Sequence, residues 1–112
     1  DLIHSAKGIA VMAHPVMFNN TELLLELIEA GKLDGIEAYH HSATPTQQQK
    51  LVDIAKEHDL IVTGGSDFHG LYNETMTHIG SMTTDKENLD KLFRLIHINS
   101  QKANKAAVKT EK

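Results

Sequence analysis

Three short apolar runs, each followed by a turn signal, alternate along the chain with segments of helical period. Ile9-Ala10-Val11-Met12-Ala13 ends at His14-Pro15, and a continuous apolar run of this length reads as a strand buried on both faces, stopped by the proline. From Thr21 the segment TELLLELIEAGK places Leu24, Leu27 and Ile28 at helical spacing, with Asn19, Asn20 or Thr21 as the cap and Gly31 as the stop. Leu33 to Tyr39 is strand-like and delivers His40 and His41 at its end. Thr44-Pro45-Thr46-Gln47 is a capping box with proline at the first helical position, and Leu51, Ile54, Ala55 and His58 share a face of the helix that follows. Leu60-Ile61-Val62-Thr63 is the third strand, and it breaks into the segment GGSDFHG, residues 64–70. After a polar loop, Ile79-Gly80-Ser81-Met82 reads as a last short strand. Thr84-x-x-Glu87 then caps a helix with Leu89, Leu92, Phe93 and Ile96 on one face.

Strand, helix, strand, helix, strand, loop, helix is the repeating βα pattern of a parallel sheet or barrel wall, so the predicted fold class is α/β. There is no internal repeat. Residues 1–7 resemble the last turns of a helix closed by Gly8, with no helix start before them, and the chain therefore reads as a fragment. Residues 1–100 are expected to form the folded part and residues 101–112 a polar, frayed tail.

Composition narrows the classes of function. The chain has 112 residues, 40% hydrophobic and 23% charged, which is ordinary for one globular domain, and no stretch approaches the ~18 apolar residues of a membrane span. With no secretory n-region and no cysteine to staple a secreted fold, a cytoplasmic location is expected. A net charge of −4 and a single arginine, Arg94, argue against a broad duplex DNA-binding surface. Eight histidines, against no cysteine and no tryptophan, are the anomaly, because imidazole is the commonest metal ligand and a proton carrier near neutral pH.

Position selects among those histidines. Each of the three strands finishes on side chains suited to a metal or a substrate: His14 after the first, Glu37 to His41 after the second, Asp67 and His69 after the third. In parallel α/β architectures the C-terminal strand ends share one rim, so residues distant in sequence converge there. A neutral imidazole and a carboxylate two residues apart suit a divalent ion. Read blandly, Asp67 is a turn-forming residue, His69 a surface histidine and His14 a strand-end residue bonded to backbone. Strand alternation pairs Glu37 with Gly35 and Tyr39, which leaves open whether it points to the rim, and it sends His40 and His41 to opposite faces, so that only one should reach the site. His4, His58, His78 and His97 lie away from the predicted rim. A cysteine nucleophile, a G-x-S-x-G elbow and a phosphate-cradling P-loop are all missing from the sequence.

AVMAHP, LDGIEAYHHS and LIVTGGSDFHG, in that order, resemble the C-terminal motifs of the PHP-domain metal-dependent phosphoesterases, in particular the TrpH/YciV-like branch, over about residues 2–82. The resemblance implies the C-terminal portion of a distorted (β/α)7 barrel, about three to four βα units, with a trinuclear cluster of manganese, iron or zinc. It makes His14, Asp67 and His69 metal ligands, with Asp67 and His69 also carrying catalysis, while Glu37, His40 and His41 remain, from their place at the strand end, candidate rim or substrate contacts. The substrate implied is a phosphorylated small molecule or a short oligonucleotide end, hydrolysed by metal-activated water. The family's N-terminal H-x-H motif and the ligands that follow it are not in this sequence. The cluster is therefore incomplete, the chain alone is expected to be inactive, and its uncovered barrel edges are expected to promote self-association. Two other readings stand beside this one: an amidohydrolase-like metal hydrolase, and a non-catalytic half-barrel serving as an accessory or interaction domain.

Overall fold

The computed structural model describes residues 1–70 and 77–110, so most of the polar loop after Gly70 lies outside the described residues. A short helix, α1 (Leu2–Ser5), leads into β1 (Val11–Met12), α2 (Thr21–Glu29), β2 (Gly35–Tyr39), α3 (Pro45–Glu57), β3 (Ile61–Gly64) and α4 (Lys86–Thr110). The three strands form one parallel sheet in the order β1-β2-β3. The α/β class and the parallel sheet read from the sequence are both present. Among the described residues no helix is long and apolar enough to cross a membrane.

β2 occupies the middle of the sheet, and its Gly35, Ile36 and Ala38 are all buried. Ile36 and Ala38 join Leu24 of α2, Leu51, Val52 and Ala55 of α3 and Val62 of β3 in a single core. Leu24 and Ile36 are 0% exposed, and they anchor the helical layer to the sheet. α2 buries the stripe foreseen in the sequence and ends as predicted: Gly31, at φ +67°, lets the Lys32 N–H return to the Leu27 carbonyl at 2.9 Å. α3 begins with the full capping box, in which the Thr44 hydroxyl accepts from the Gln47 N–H and the Gln47 side chain accepts from the Thr44 N–H.

The region after β3 departs from the sequence reading in four ways. Residues 79–82 form turns and bends rather than a strand, because the third strand's free edge is already occupied by side chains. The Val62 N–H donates to Asn88 Oδ1 at 2.9 Å and the Gly64 N–H to Thr84 Oγ1 at 3.0 Å, which satisfies the outward donors that a fourth strand would have paired. Gly64 is required there, since a Cβ would lie 2.4 Å from the Thr83 carbonyl oxygen. Thr84 is consequently spent on the sheet, and Asp85 caps α4 instead, accepting the Asn88 N–H at 2.8 Å. α4 also turns a different face inward from the one predicted. Asn88 is buried and Leu92 and Leu95 are half-buried, whereas Leu89, Phe93 and Ile96 look outward. The helix continues to Thr110, past Ser100 where the frayed tail was expected to begin.

Asp85 provides a pH handle on this junction. The Asn88 backbone N–H, then its side-chain amide and the charge of Lys91, outweigh burial and hold the Asp85 carboxyl below its ordinary range. A group depressed in the folded state contributes stability that is fully present above its unfolded value and is lost as pH falls through the folded one. Asp85→Asn is therefore expected to be less stable than wild type at neutral pH, with the gap closing below about pH 4. Urea midpoints measured across that range check it, and a gap independent of pH would contradict it.

Candidate metal centre

The C-terminal ends of β1, β2 and β3 come together as the parallel topology requires, and each delivers polar side chains. At the end of β1, His14 is held at φ +27°, and at the end of β3 Asp67 stands at φ +54°. Positive φ at a histidine before proline is costly backbone, and here it falls, with the positive φ of Asp67, on the two strand ends that flank β2.

β2 reaches the rim through an irregularity. Glu37 pairs with Thr63 but Tyr39 pairs with Gly64, so β2 has one more residue than β3 across that step. The extra residue reverses the alternation of side chains, and Glu37 and His40, three positions apart, both face the rim. Glu37 Oε1 accepts the His14 backbone N–H at 3.1 Å, and a Cβ on Gly65 would lie 3.0 Å from Glu37 Oε2. This settles the direction that strand alternation left open for Glu37.

His40 is 1% exposed. Its Nδ1 lies 3.1 Å from the Ser42 backbone N–H and 2.8 Å from Ser42 Oγ, and its Nε2 lies 3.4 Å from Asp67 Oδ2. His41, expected on the opposite face, instead tilts its ring against His40 with centroids 4.2 Å apart. The strand stops at Tyr39 and a turn follows, so alternation no longer applies and both imidazoles stay on the same side. One donor atom each from His40, His41 and Asp67 lie within 4.8 Å of one another.

His14 and His69 stand outside that trio, but each has a ring nitrogen without a hydrogen-bond partner among the described residues. His14 packs its ring 4.9 Å from that of His40, and its Nδ1 is buried with no hydrogen-bond partner. An orphaned buried nitrogen costs about 1–3 kcal/mol unless something occupies it. His69 Nδ1 lies 2.6 Å from the Asp67 backbone carbonyl and must carry the proton it donates there, which leaves Nε2 as a bare lone pair on a side chain that is 65% exposed. Carboxylate and imidazole are the donor types of a divalent transition-metal site and fit such an ion, and among the described residues the donor atoms that lie within 4.8 Å of one another are those of His40, His41 and Asp67.

The remaining histidines behave as the sequence suggested. His4 Nε2 lies 2.7 Å from Asp34 Oδ2, which also accepts the Ala10 N–H at 2.8 Å, tying α1 to the start of β2. His58, His78 and His97 are exposed. A cavity of about 530 Å³, bounded by Leu33, Leu60, Ile61, Arg94 and Leu95, opens at the other end of the strands, where it meets none of the candidate ligands.

No protein-family profile matches the chain. It is 38% identical over 73 residues, 65% of its length, to phosphoribosyl 1,2-cyclic phosphate 1,2-diphosphodiesterase of Eggerthella lenta. It is 41% identical over 73 residues to a 5′-3′ exoribonuclease of Haemophilus influenzae and 33% identical over 73 residues to the 5′-3′ exoribonuclease Rnm of Escherichia coli K12. The chain spans about a quarter of these relatives' length, the alignments covering 27%, 27% and 25% of them. The crystal structure of a provisionally assigned metal-dependent phosphoesterase from Bifidobacterium adolescentis superposes with a TM-score of 0.69 and 32% identity, covering 83% of this chain and 34% of that one.

Proposed function

We propose that this chain, a relative of the PHP-domain metal-dependent phosphoesterases, supplies part of the metal centre of a phosphoester hydrolase, with His14, Asp67 and His69 as its ligands. The observation that carries the proposal is the buried His14 Nδ1 without a hydrogen-bond partner at the end of β1, on the same rim as Asp67 and His69, whose Nδ1 is turned to the Asp67 carbonyl, beyond the end of β3. Manganese, iron and zinc all suit this donor set, and the bound ions would neutralise phosphate charge and activate water. The chain's own residues hold and orient. Asp67 supplies negative charge at the rim, His69 presents Nε2 from an exposed turn where a substrate can approach, and exposed His41 lines the entrance as a substrate contact. The substrate class is a phosphorylated small molecule or the end of a short oligonucleotide.

In the same reading the chain is the C-terminal portion of a distorted (β/α)7 barrel, and about three βα units of it are folded here. Side chains seal the outer edge of β3, so the sheet is extended from β1, whose Val11 is exposed. With that edge and the outward Phe93 face of α4 uncovered, the chain on its own self-associates.

A graft tests the function. Placed in the Haemophilus influenzae relative in exchange for its matched 73 residues and supplied with manganese(II), these residues are expected to sustain release of mononucleotide from a 5′-phosphorylated oligonucleotide, or of phosphate from a small phosphoester. The isolated chain is expected to release neither. A folded graft that is inactive, or one equally active with Asp67→Ala, would sink the proposal.

A further inference from the structure

We infer that Glu37 and His40 are positioning residues that brace the two strained ligand residues from the central strand, and that neither binds the metal itself. The inference rests on the metal reading of His14, Asp67 and His69.

Proximity alone would make His40 a ligand, since its donor nitrogen lies within 4.8 Å of those of His41 and Asp67. Hydrogen bonding argues otherwise. A backbone N–H can only donate, so the Ser42 N–H at 3.1 Å makes His40 Nδ1 an acceptor without a proton. In a neutral imidazole the proton then sits on Nε2, the atom 3.4 Å from Asp67 Oδ2. Ligation through Nε2 would require removing that proton, and ligation through Nδ1 would require breaking the Ser42 contact inside a pocket that leaves the ring 1% exposed. His69 has the opposite tautomer, with Nδ1–H given to the Asp67 carbonyl and Nε2 bare. One histidine is set to bind and the other to hold.

Glu37 does for His14 what His40 does for Asp67. Its Oε1 accepts the His14 N–H at 3.1 Å, fixing a backbone that stands at φ +27°, and its Oε2 sits against Gly65, which leads into the loop that carries Asp67 at φ +54°. Both strained ligand residues are therefore tied to the same strand. The extra residue in β2 between Glu37 and Tyr39 is what allows two side chains three positions apart to reach them together. Partners that orient ligands in this way typically contribute roughly 10–100-fold to metal affinity.

Nitrogen NMR of the histidines in the intact metal-free chain, followed by cobalt(II) titration read by visible absorption, tests the inference. His40 is expected to show the Nε2–H tautomer and His69 the Nδ1–H tautomer, and His40 is expected to keep its Nε2 proton once cobalt is bound. Glu37→Ala and His40→Ala are expected to weaken cobalt binding by roughly 10–100-fold without changing the absorption bands. Glu37→Gln, which can still accept from His14, and His40→Gln, which can still donate to Asp67, are expected to restore most of it. An Nδ1–H tautomer at His40 would overturn the inference. So would alanine variants that bind like wild type, or glutamine variants whose bands shift as those of a true ligand variant do. A wild-type chain that takes up no cobalt would instead refute the metal reading, leaving the metal-free tautomers and the hydrogen-exchange protection of the His14 amide in Glu37→Ala to decide the brace.

Discussion

Asp67→Asn is expected to lower the affinity of the chain for cobalt(II) or manganese(II) by on the order of 100-fold, at least as much as the loss of an outer hydrogen-bonding partner typically costs. Asparagine is the informative replacement. It tolerates the φ of +54° that Asp67 adopts, and its carbonyl can still accept from His40 Nε2. What it removes is the charge. Asp67→Ala would remove the charge as well, but it would also leave a buried N–H of His40 unpaired, at about 1–3 kcal/mol, and would strain the backbone. A large loss in both variants, with unfolding midpoints lowered only in the alanine one, is the pattern that separates a ligand from a structural residue. Equal affinity in Asp67→Asn and wild type would mean that the strand ends meet for another reason.

Ile36→Ala is expected to destabilise the chain by about 2–5 kcal/mol. Ile36 is 0% exposed in the middle strand and belongs to the cluster that joins Leu24, Leu51, Val52 and Val62. A domain of this size has only ~0.05–0.15 kcal/mol of stability per residue, so the loss is a large share of the whole. Phe93→Ala is the matching control. Helical spacing puts Phe93 among the buried residues, but the side chain is 60% exposed, and its replacement is expected to change stability by only about 0.5 kcal/mol. Urea denaturation of both variants checks the pair. A Phe93→Ala loss comparable to that of Ile36→Ala would show that the outward face of α4 is covered in solution, as it would be in a self-associated chain.

The contrast between those residues marks how far the sequence could be read. β1, α2, β2, α3 and β3 were legible because period and punctuation agreed in each: Pro15 and Gly31 act as stops, the Thr44 capping box opens α3, and three apolar runs too short for helices supply the strands. The end of β3 was less so. Thr84 and Asp85 are both competent caps, and only the demand of the Gly64 N–H decides that Thr84 bonds the sheet while Asp85 takes the helix. That choice rotates α4, which is why Leu92 and Leu95 face inward and Leu89, Phe93 and Ile96 do not.

At the rim, the strand ends were legible from the sequence and the orientations were not. His14, Asp67 and His69 can be singled out because each follows a short apolar run at a turn. Nothing in the sequence reports the extra residue in β2, and without it Glu37 and His40 cannot be placed on the same side. The signal that could have found them is the packing of polar residues behind a central strand: a carboxylate and two histidines within five positions, directly after Ile36, leave little room for all of them to be solvated.

The claim that matters most is that a divalent ion sits among His14, Asp67 and His69. Anomalous diffraction at the manganese edge, from crystals of the chain grown with manganese(II), locates the ion directly. The account predicts a peak bonded to a carboxylate oxygen of Asp67, with His14 Nδ1 and His69 Nε2 turned toward it and His40 Nε2 still directed at Asp67. An ion bonded to His40 and His41 instead, or a rim without an anomalous peak at saturating manganese, would contradict it.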